Sequence, residues 1–224
     1  MSSHERLDAV RRAFDARAAT YDESRMHRSL AAAVAAYADL DGVVDVLDVA
    51  TGTGLVLRAL HDRAVDLRMT GADISTEMLD VARDAHPDAV WLEADAAALP
   101  VPDRSTDLIT CVTALHAIPD TRSALAEWRR ILRPEGRALT ATFQEREPDR
   151  SMPGRSAYPS DHAPFSSIGR LERTAEDAGF RIERSTIWSD GYDRLIIAQW
   201  RPIGTDEGSR ANSAAAVAQA PDGT

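Results

Sequence analysis

The stretch from Val43 to Gly54 constrains this chain more than any other. Val43-Val44-Asp45-Val46-Leu47-Asp48-Val49 is a short β-branched run, and Ala50-Thr51-Gly52-Thr53-Gly54 follows it with no spacer. The run suits a buried strand and the small residues a tight turn, and Leu55 to Arg63 continues as a helix. Strand, glycine turn and helix in that order open a βα unit, whose parallel partner strands are reached by crossovers. Further strands are expected at Leu67–Ile74, Val90–Leu92, Asp107–Val112 and Ala138–Phe143, with helices at Thr76–Ala85 and Arg122–Leu132 between them.

This alternation predicts an α/β chain with a Rossmann-like, seven-stranded, mostly parallel sheet and helices on both faces. After a helix at Ile168–Ala178, strands Phe180–Trp188 and Leu195–Trp200 flank the turn Ser189-Asp190-Gly191-Tyr192, so a C-terminal antiparallel hairpin closes the sheet. Ahead of the first strand, Leu7, Val10, Phe14 and Ala18 make a helical stripe over residues 5–20. A second, Ala-rich helix runs from Leu30 to Leu40 and is broken by Asp41-Gly42. Residues 144–167 hold Pro148, Pro153, Pro159 and Pro164 and read as a lid-like or mobile segment. Residues 202–224 are nearly free of large apolar side chains and read as a disordered tail.

A length of 224 residues suits one main domain. The formal charge is −10 and all 26 basic residues are Arg. An acidic chain repels phosphate backbones, which argues against a nucleic-acid partner. No apolar run approaches the roughly 20 residues of a membrane span, and the opening MSSHERLDAVRR lacks the apolar core of a secretory signal. Cys111 is the single cysteine, so no internal disulfide can form. A cytoplasmic location is therefore expected, with Cys111 as a core filler. The six His are scattered, so no metal site is expected.

Four features in fixed order carry the chemistry. Asp48-Val49-Ala50-Thr51-Gly52-Thr53-Gly54 ends the first strand with residues small enough for a ligand to approach the backbone. Asp73, ending the second strand 19 residues after Gly54, can accept both hydroxyls of a ribose. Glu93-Ala94-Asp95-Ala96 follows the third strand, where a carboxylate can accept from an adenine amine. Leu132-Arg133-Pro134-Glu135-Gly136-Arg137 is a helix stop and turn into the fifth.

These residues resemble the class I S-adenosylmethionine-dependent methyltransferases, and most closely their single-domain, small-molecule type. The likeness runs from about Phe14 to Phe143. Asp48, Gly52 and Gly54 match the family's acidic-x-Gly-x-Gly-x-Gly signature, while Ala50 replaces its first glycine. Ala50 keeps the site small, so tighter or shifted cofactor contact is expected rather than loss of binding. Glu135 stands where the family commonly has glycine. Gly71-Ala72-Asp73-Ile74-Ser75-x-x-Met78-Leu79 matches the ribose-binding strand and helix, and Ala98-Leu99-Pro100-x-Pro102-Asp103 follows the adenine-binding acid. Phe14-Asp15-x-x-Ala18-x-x-Tyr21-Asp22 resembles the cofactor-covering helix, with Tyr21 closing over the methionine end.

The resemblance implies S-adenosyl-L-methionine as cofactor, a helical cap in residues 1–40 over a core in 41–201, and a small-molecule acceptor. It places cofactor contacts at Tyr21, Asp48, Ala50, Thr51, Gly52 and Gly54. Further contacts fall at Asp73, Ile74, Met78, Asp95, Ala96 and Thr113. Asp48 reads either as a cap on its turn or as a ligand contact; a buried strand-ending acid without a partner is costly, which favours the latter. Asp95 reads as an adenine contact or as a solvated loop acid. His116, just past the fourth strand, is the candidate general base, tuned near neutral pH, or else a residue that only lines the pocket. Tyr158, His162 and Phe165 read as lid surface or packing, and Trp128 as core.

The implied reaction is direct displacement at a sulfonium methyl, with the enzyme aligning the reactants and excluding water. Two rivals remain. A catalytically silent cofactor-binding scaffold would share the fold. A nicotinamide oxidoreductase would need a third glycine where Leu57 stands. A monomer or weak homodimer is expected.

Overall fold

The computed structural model describes residues 2–144 and 158–204. Most of the proline-rich 144–167 segment, with Pro148 and Pro153, lies outside the described residues, as does the tail beyond residue 204. The helices are α1 (Ser3–Asp15), α2 (Ala18–Tyr21), α3 (Arg25–Tyr37), α4 (Leu55–His61), α5 (Thr76–Ala85), α6 (Thr121–Ile131) and α7 (Ile168–Asp177). The strands are β1 (Asp45–Val49), β2 (Arg68–Asp73), β3 (Val90–Glu93), β4 (Thr106–Val112), β5 (Leu132–Phe143), β6 (Phe180–Ser189) and β7 (Arg194–Pro202).

Among the described residues these strands form one seven-stranded sheet in the order β3-β2-β1-β4-β5-β7-β6. The first five are parallel, and β7 and β6 run antiparallel to their neighbours. The expected fold class is the one observed, hairpin included. Sequential order runs outward from β1 in one direction and from β4 in the other. That reversal opens a crevice at the carboxyl ends of β1 and β4, because the loops leaving the two strands turn to opposite faces.

The period-2 alternation of the central strands feeds two cores. Leu47, Ile109, Ala138 and Ile196 face one layer with Trp128, Phe180 and Trp200. Val46, Leu108, Leu139 and Ile197 face the other with Leu30, Val34, Leu57 and Leu60. Each face is buried, which is why the central strands read as continuous apolar runs.

Three elements differ from expectation. The stripe over residues 5–20 is not one helix: it breaks at Ala16-Arg17 into α1 and α2. Asp15 and Asp22, on either side of α2, are both held by the core (below), and those contacts outweigh a few continued helix bonds. The second helix begins earlier, at Arg25, because the Ser24 hydroxyl caps it by accepting the His27 amide. The turn expected at 132–137 is a bulge inside β5: pairing jumps from Thr106 opposite Leu132 to Leu108 opposite Arg137. Glu135 sits there with its side chain almost wholly exposed, so its departure from glycine is accommodated without strain.

Trp91 on β3 explains two glycines. A Cβ added to Gly71 would lie 2.4 Å from the Trp91 ring and 2.9 Å from Thr51 Cγ2, and one added to Gly54 would lie 2.5 Å from the same ring. The indole also donates to the His86 carbonyl (3.1 Å), so it cannot swing aside freely. We expect Gly71→Ala to cost about 1–3 kcal/mol of stability in urea unfolding. A smaller loss is expected in a Trp91→Leu background, and an equal loss in both would show that the indole is not the obstacle.

Candidate functional site

The loop after β1 is built from left-handed backbone. Ala50 (φ 55°), Gly52 (φ 56°) and Gly54 (φ 77°) alternate with Thr51 and Thr53. Ala50 carries strain that a glycine would not. The loop is held by Asp48, which is buried at the end of β1. Its Oδ2 accepts from the Thr51 hydroxyl and its Oδ1 from the Thr110 hydroxyl, each at 2.6 Å. Thr110 is the register partner of Asp48 on β4, so the carboxylate staples the loop to the neighbouring strand. Asp48 therefore has protein partners, contrary to the premise for reading it as a ligand contact, although it also borders the cavity. Burial pushes its carboxyl up to about 6, against two hydroxyl donors that lower it.

Asp73 stands beside that loop. Its Oδ2 accepts the Gly52 amide (2.8 Å) and its Oδ1 the Ser75 amide (2.9 Å), so the carboxylate plane is set by backbone on both sides. Ser75 in turn caps α5, its hydroxyl accepting the Met78 amide (3.2 Å). Burial raises the Asp73 carboxyl above the usual range, opposed by the amides of Ser75, Gly52 and Ile74. Asp95 Oδ1 accepts the Ala97 amide at 2.9 Å, which fixes the turn after β3. Thr113 directly follows β4 with φ 55°, its amide donating to the Ala141 carbonyl.

Across this cleft lie the N-terminal helices. Tyr21 is stacked on His27, with ring centroids 4.3 Å apart. A Cβ on Gly52 would lie 4.0 Å from Tyr21 Cε1, so the phenol sits directly over the glycine loop. Burial pushes the Tyr21 hydroxyl up to about 12, with a hydrogen bond to the Thr113 side chain opposing it. The phenol is therefore protonated across the physiological range.

One cavity gathers most of the expected residues. Tyr21, Asp48, Ala50, Thr51 and Gly52 line it from the β1 side, and Asp73, Ile74, Asp95, Ala96 and Thr113 from the rest of the crevice. Leu7, Val10, Phe14, Leu30, Ile118 and Pro119 add apolar wall. Three expected residues lie off this wall. Gly54 faces the Trp91 ring, so its missing side chain serves packing. Met78 is fully buried in the first turn of α5, its sulfur beneath Gly52. His116 is buried on another side, where its Nε2 meets the Tyr158 hydroxyl at 3.3 Å and its ring stacks on His162 at 4.0 Å. Burial and His162 press the His116 imidazole down to about 3, far from the neutral-pH base expected from its position.

The sequence reading missed His27. It lines the cavity, its buried Nδ1 makes no well-formed hydrogen bond, and burial and Arg17 lower its pKa, which keeps the ring neutral. Tyr21 and His27 meet across a helix break, so no periodicity links them.

A family model described as a methyltransferase domain matches residues 47–140, from β1 into β5. That stretch runs through the parallel strands of the sheet from β1 into β5. It carries the glycine loop, Asp73, Asp95 and Thr113, whereas the N-terminal helices and the hairpin lie outside the matched stretch. The chain is 44% identical over 94 residues to a demethylmenaquinone methyltransferase of Thermotoga maritima, covering 42% of this chain and 41% of that one. It is 32% identical over 156 residues to a ubiquinone/menaquinone biosynthesis C-methyltransferase of Paraburkholderia phymatum, covering 65% and 64%. The chain thus spans less than two thirds of these relatives. The 1,6-didemethyltoxoflavin-N1-methyltransferase of Burkholderia thailandensis superposes with a TM-score of 0.71 at 18% identity, over 91% of this chain and 92% of that one.

Two substitutions test the loop after β1. Ala50→Gly is expected to raise stability by about 1 kcal/mol in urea unfolding by releasing left-handed strain; a loss would mean that the Ala50 methyl packs too well to spare. Asp48 has a folded value near 6 against an ordinary 3.8, so its neutral form stabilises the fold below about pH 4, and that contribution disappears as pH rises through 6. Stability measured from pH 4 to 7 should therefore fall by about 3 kcal/mol relative to Asp48→Asn. Parallel curves would place the Asp48 proton equilibrium elsewhere.

Proposed function

We propose that this chain is an S-adenosylmethionine-dependent methyltransferase acting on a small molecule by direct displacement. The observation that carries the reading is the cavity's charge. Asp48, Asp73 and Asp95 line it, and among the described residues no arginine does. Such a wall suits a cationic ligand and opposes a dianionic pyrophosphate, which counts against the nicotinamide alternative together with Leu57. Asp73 fits a ribose because backbone amides orient its carboxylate, each oxygen has more than one lone pair, and the residue borders the cavity.

The group would be held by Asp73 at its ribose, Asp95 and Ala96 at its adenine, and Gly52 and Tyr21 at its methionine end. When bound it supplies an electrophilic methyl on a sulfonium with a neutral leaving group. The chain's own residues then align the acceptor and keep water out. Tyr21, tied to Thr113, forms the roof, and Leu7, Val10, Phe14, Ile118 and Pro119 supply the apolar wall. That wall and the names of the quinone-methylating relatives support a planar, largely apolar acceptor. His27, neutral and bordering the cavity, suits the proton-accepting post better than the buried His116.

Titration calorimetry with S-adenosylmethionine tests the reading. We expect micromolar binding that Asp73→Ala weakens at least ~100-fold, the scale of two lost charge-assisted hydrogen bonds, and no binding of NADH. Absence of S-adenosylmethionine binding by the folded chain would overturn the proposal. Binding without turnover across a panel of quinols and phenols would favour the silent scaffold.

A further inference from the structure

The N-terminal helices reach the core through two carboxylates that bracket Tyr21. Asp15, at the end of α1, accepts the Ser75 hydroxyl at 2.6 Å. Ser75 is the residue whose amide orients Asp73. Asp22, just past α2, accepts the Thr53 hydroxyl and the Arg58 guanidinium, each at 2.5 Å. Arg58 also donates to the Thr53 carbonyl (3.0 Å). Thr53 is buried between Gly52 and Gly54. Each acid therefore grips one arm of the crevice, Asp15 the turn after β2 and Asp22 the loop after β1. The Tyr21 ring is suspended between the two grips, over Gly52.

Ordinary exposed ion pairs contribute little. These contacts differ in what they hold: the two backbone segments that shape the cavity, both distant in sequence from the helices.

We propose that Asp15 and Asp22 are positioning residues for the cofactor, coupling the seating of the N-terminal helices to the geometry of the glycine loop and Asp73. This rests on the methyltransferase reading above. A ligand bound under Tyr21 and against Gly52 and Asp73 favours the seated helices. By reciprocity, the seated helices favour the ligand by the same factor. Loosening either acid lets Tyr21 lift from Gly52 and frees a crevice arm, so the cofactor leaves faster.

Asp15 also acts through charge. Asp73 is faced by the amides of Gly52, Ile74 and Ser75, which favour its anion, by Asp15, whose negative charge opposes it alongside burial, and by the buried carboxyl of Asp48 from β1. Asp15→Asn keeps an acceptor for the Ser75 hydroxyl and removes that charge. It separates the hydrogen bond from the electrostatics.

The test uses the full chain and S-adenosylmethionine, read by calorimetry, by stopped-flow dissociation and by hydrogen exchange of residues 3–21. Asp15→Ala and Asp22→Ala should each weaken binding about tenfold, mainly through faster dissociation, the scale of one hydrogen bond to a charged group. Wild-type exchange in residues 3–21 should slow on adding S-adenosylmethionine, and this protection should shrink in both variants. Asp15→Asn should hold wild-type affinity at pH 8 and move the acid-side loss of binding to lower pH. A merely structural acid would lower the melting temperature with no such shift. Wild-type affinity and protection in both alanine variants would overturn the proposal, as would an Asp15→Asn that behaves like Asp15→Ala at every pH. A wild-type chain that does not bind S-adenosylmethionine would instead overturn the methyltransferase reading on which the proposal rests.

Discussion

The carboxylate of Asp48, buried between the hydroxyls of Thr51 and Thr110, ties the first strand, its loop and the neighbouring strand together where the sheet changes direction. Burying an acid is costly unless its oxygens are satisfied, and here two short hydroxyl bonds do that while leaving the group partly inclined to hold a proton. Everything on the ligand side follows from this staple. With Thr51 anchored, its amide reaches the Ala72 carbonyl at 3.0 Å, and the Gly52 amide is turned toward Asp73. The crevice is thus shaped by backbone groups held from beneath, as binding of a cofactor against main chain requires.

Charge is divided along the strands. At their amino ends Arg133 bridges Asp45 and Asp107 (2.8 and 2.7 Å), and Arg68 pairs with Asp45. Asp107 also accepts the amides of Val44 and Asp45. These pairs hold down the strand entries. At the carboxyl ends the pattern inverts, and the cavity is bordered by acids without arginines on its wall. Arg68 and Arg133 therefore pin the scaffold, while the carboxylates give the cavity wall its charge.

The N-terminal helices wall this cavity although they lie outside the stretch that the family model matches. Their apolar face supplies Leu7, Val10 and Phe14, and the break at Ala16-Arg17 turns Tyr21 over the glycine loop. A straight helix would satisfy more backbone bonds locally. In the broken arrangement Asp15 reaches Ser75 and Asp22 reaches Thr53, one on each arm of the crevice.

Alternating apolar runs, glycine placement and the spacing of Asp48, Asp73 and Asp95 determined the sheet class, the closing hairpin and the crevice end, because periodicity and small-residue turns are local properties of the chain. Tyr21 was singled out by the resemblance of Phe14-Asp15-x-x-Ala18-x-x-Tyr21-Asp22 to a cofactor-covering helix, and the fold sets its ring beside Gly52. The tertiary structure decided the rest. His116, placed by order at the crevice, turned its ring into an aromatic packet with Tyr158 and His162, and only the packing of distant segments could reveal that. Gly54 looks like a ligand glycine in sequence, yet it and Gly71 make room for an indole that arrives from β3. Met78 fits the helix pattern but points inward beneath the loop. Conversely, His27 and the grips of Asp15 and Asp22 are invisible in one dimension, since they join residues that only the folded chain brings together. Local pattern specifies elements and their order; which faces meet, and which acids find partners, is settled by long-range packing that no short window contains.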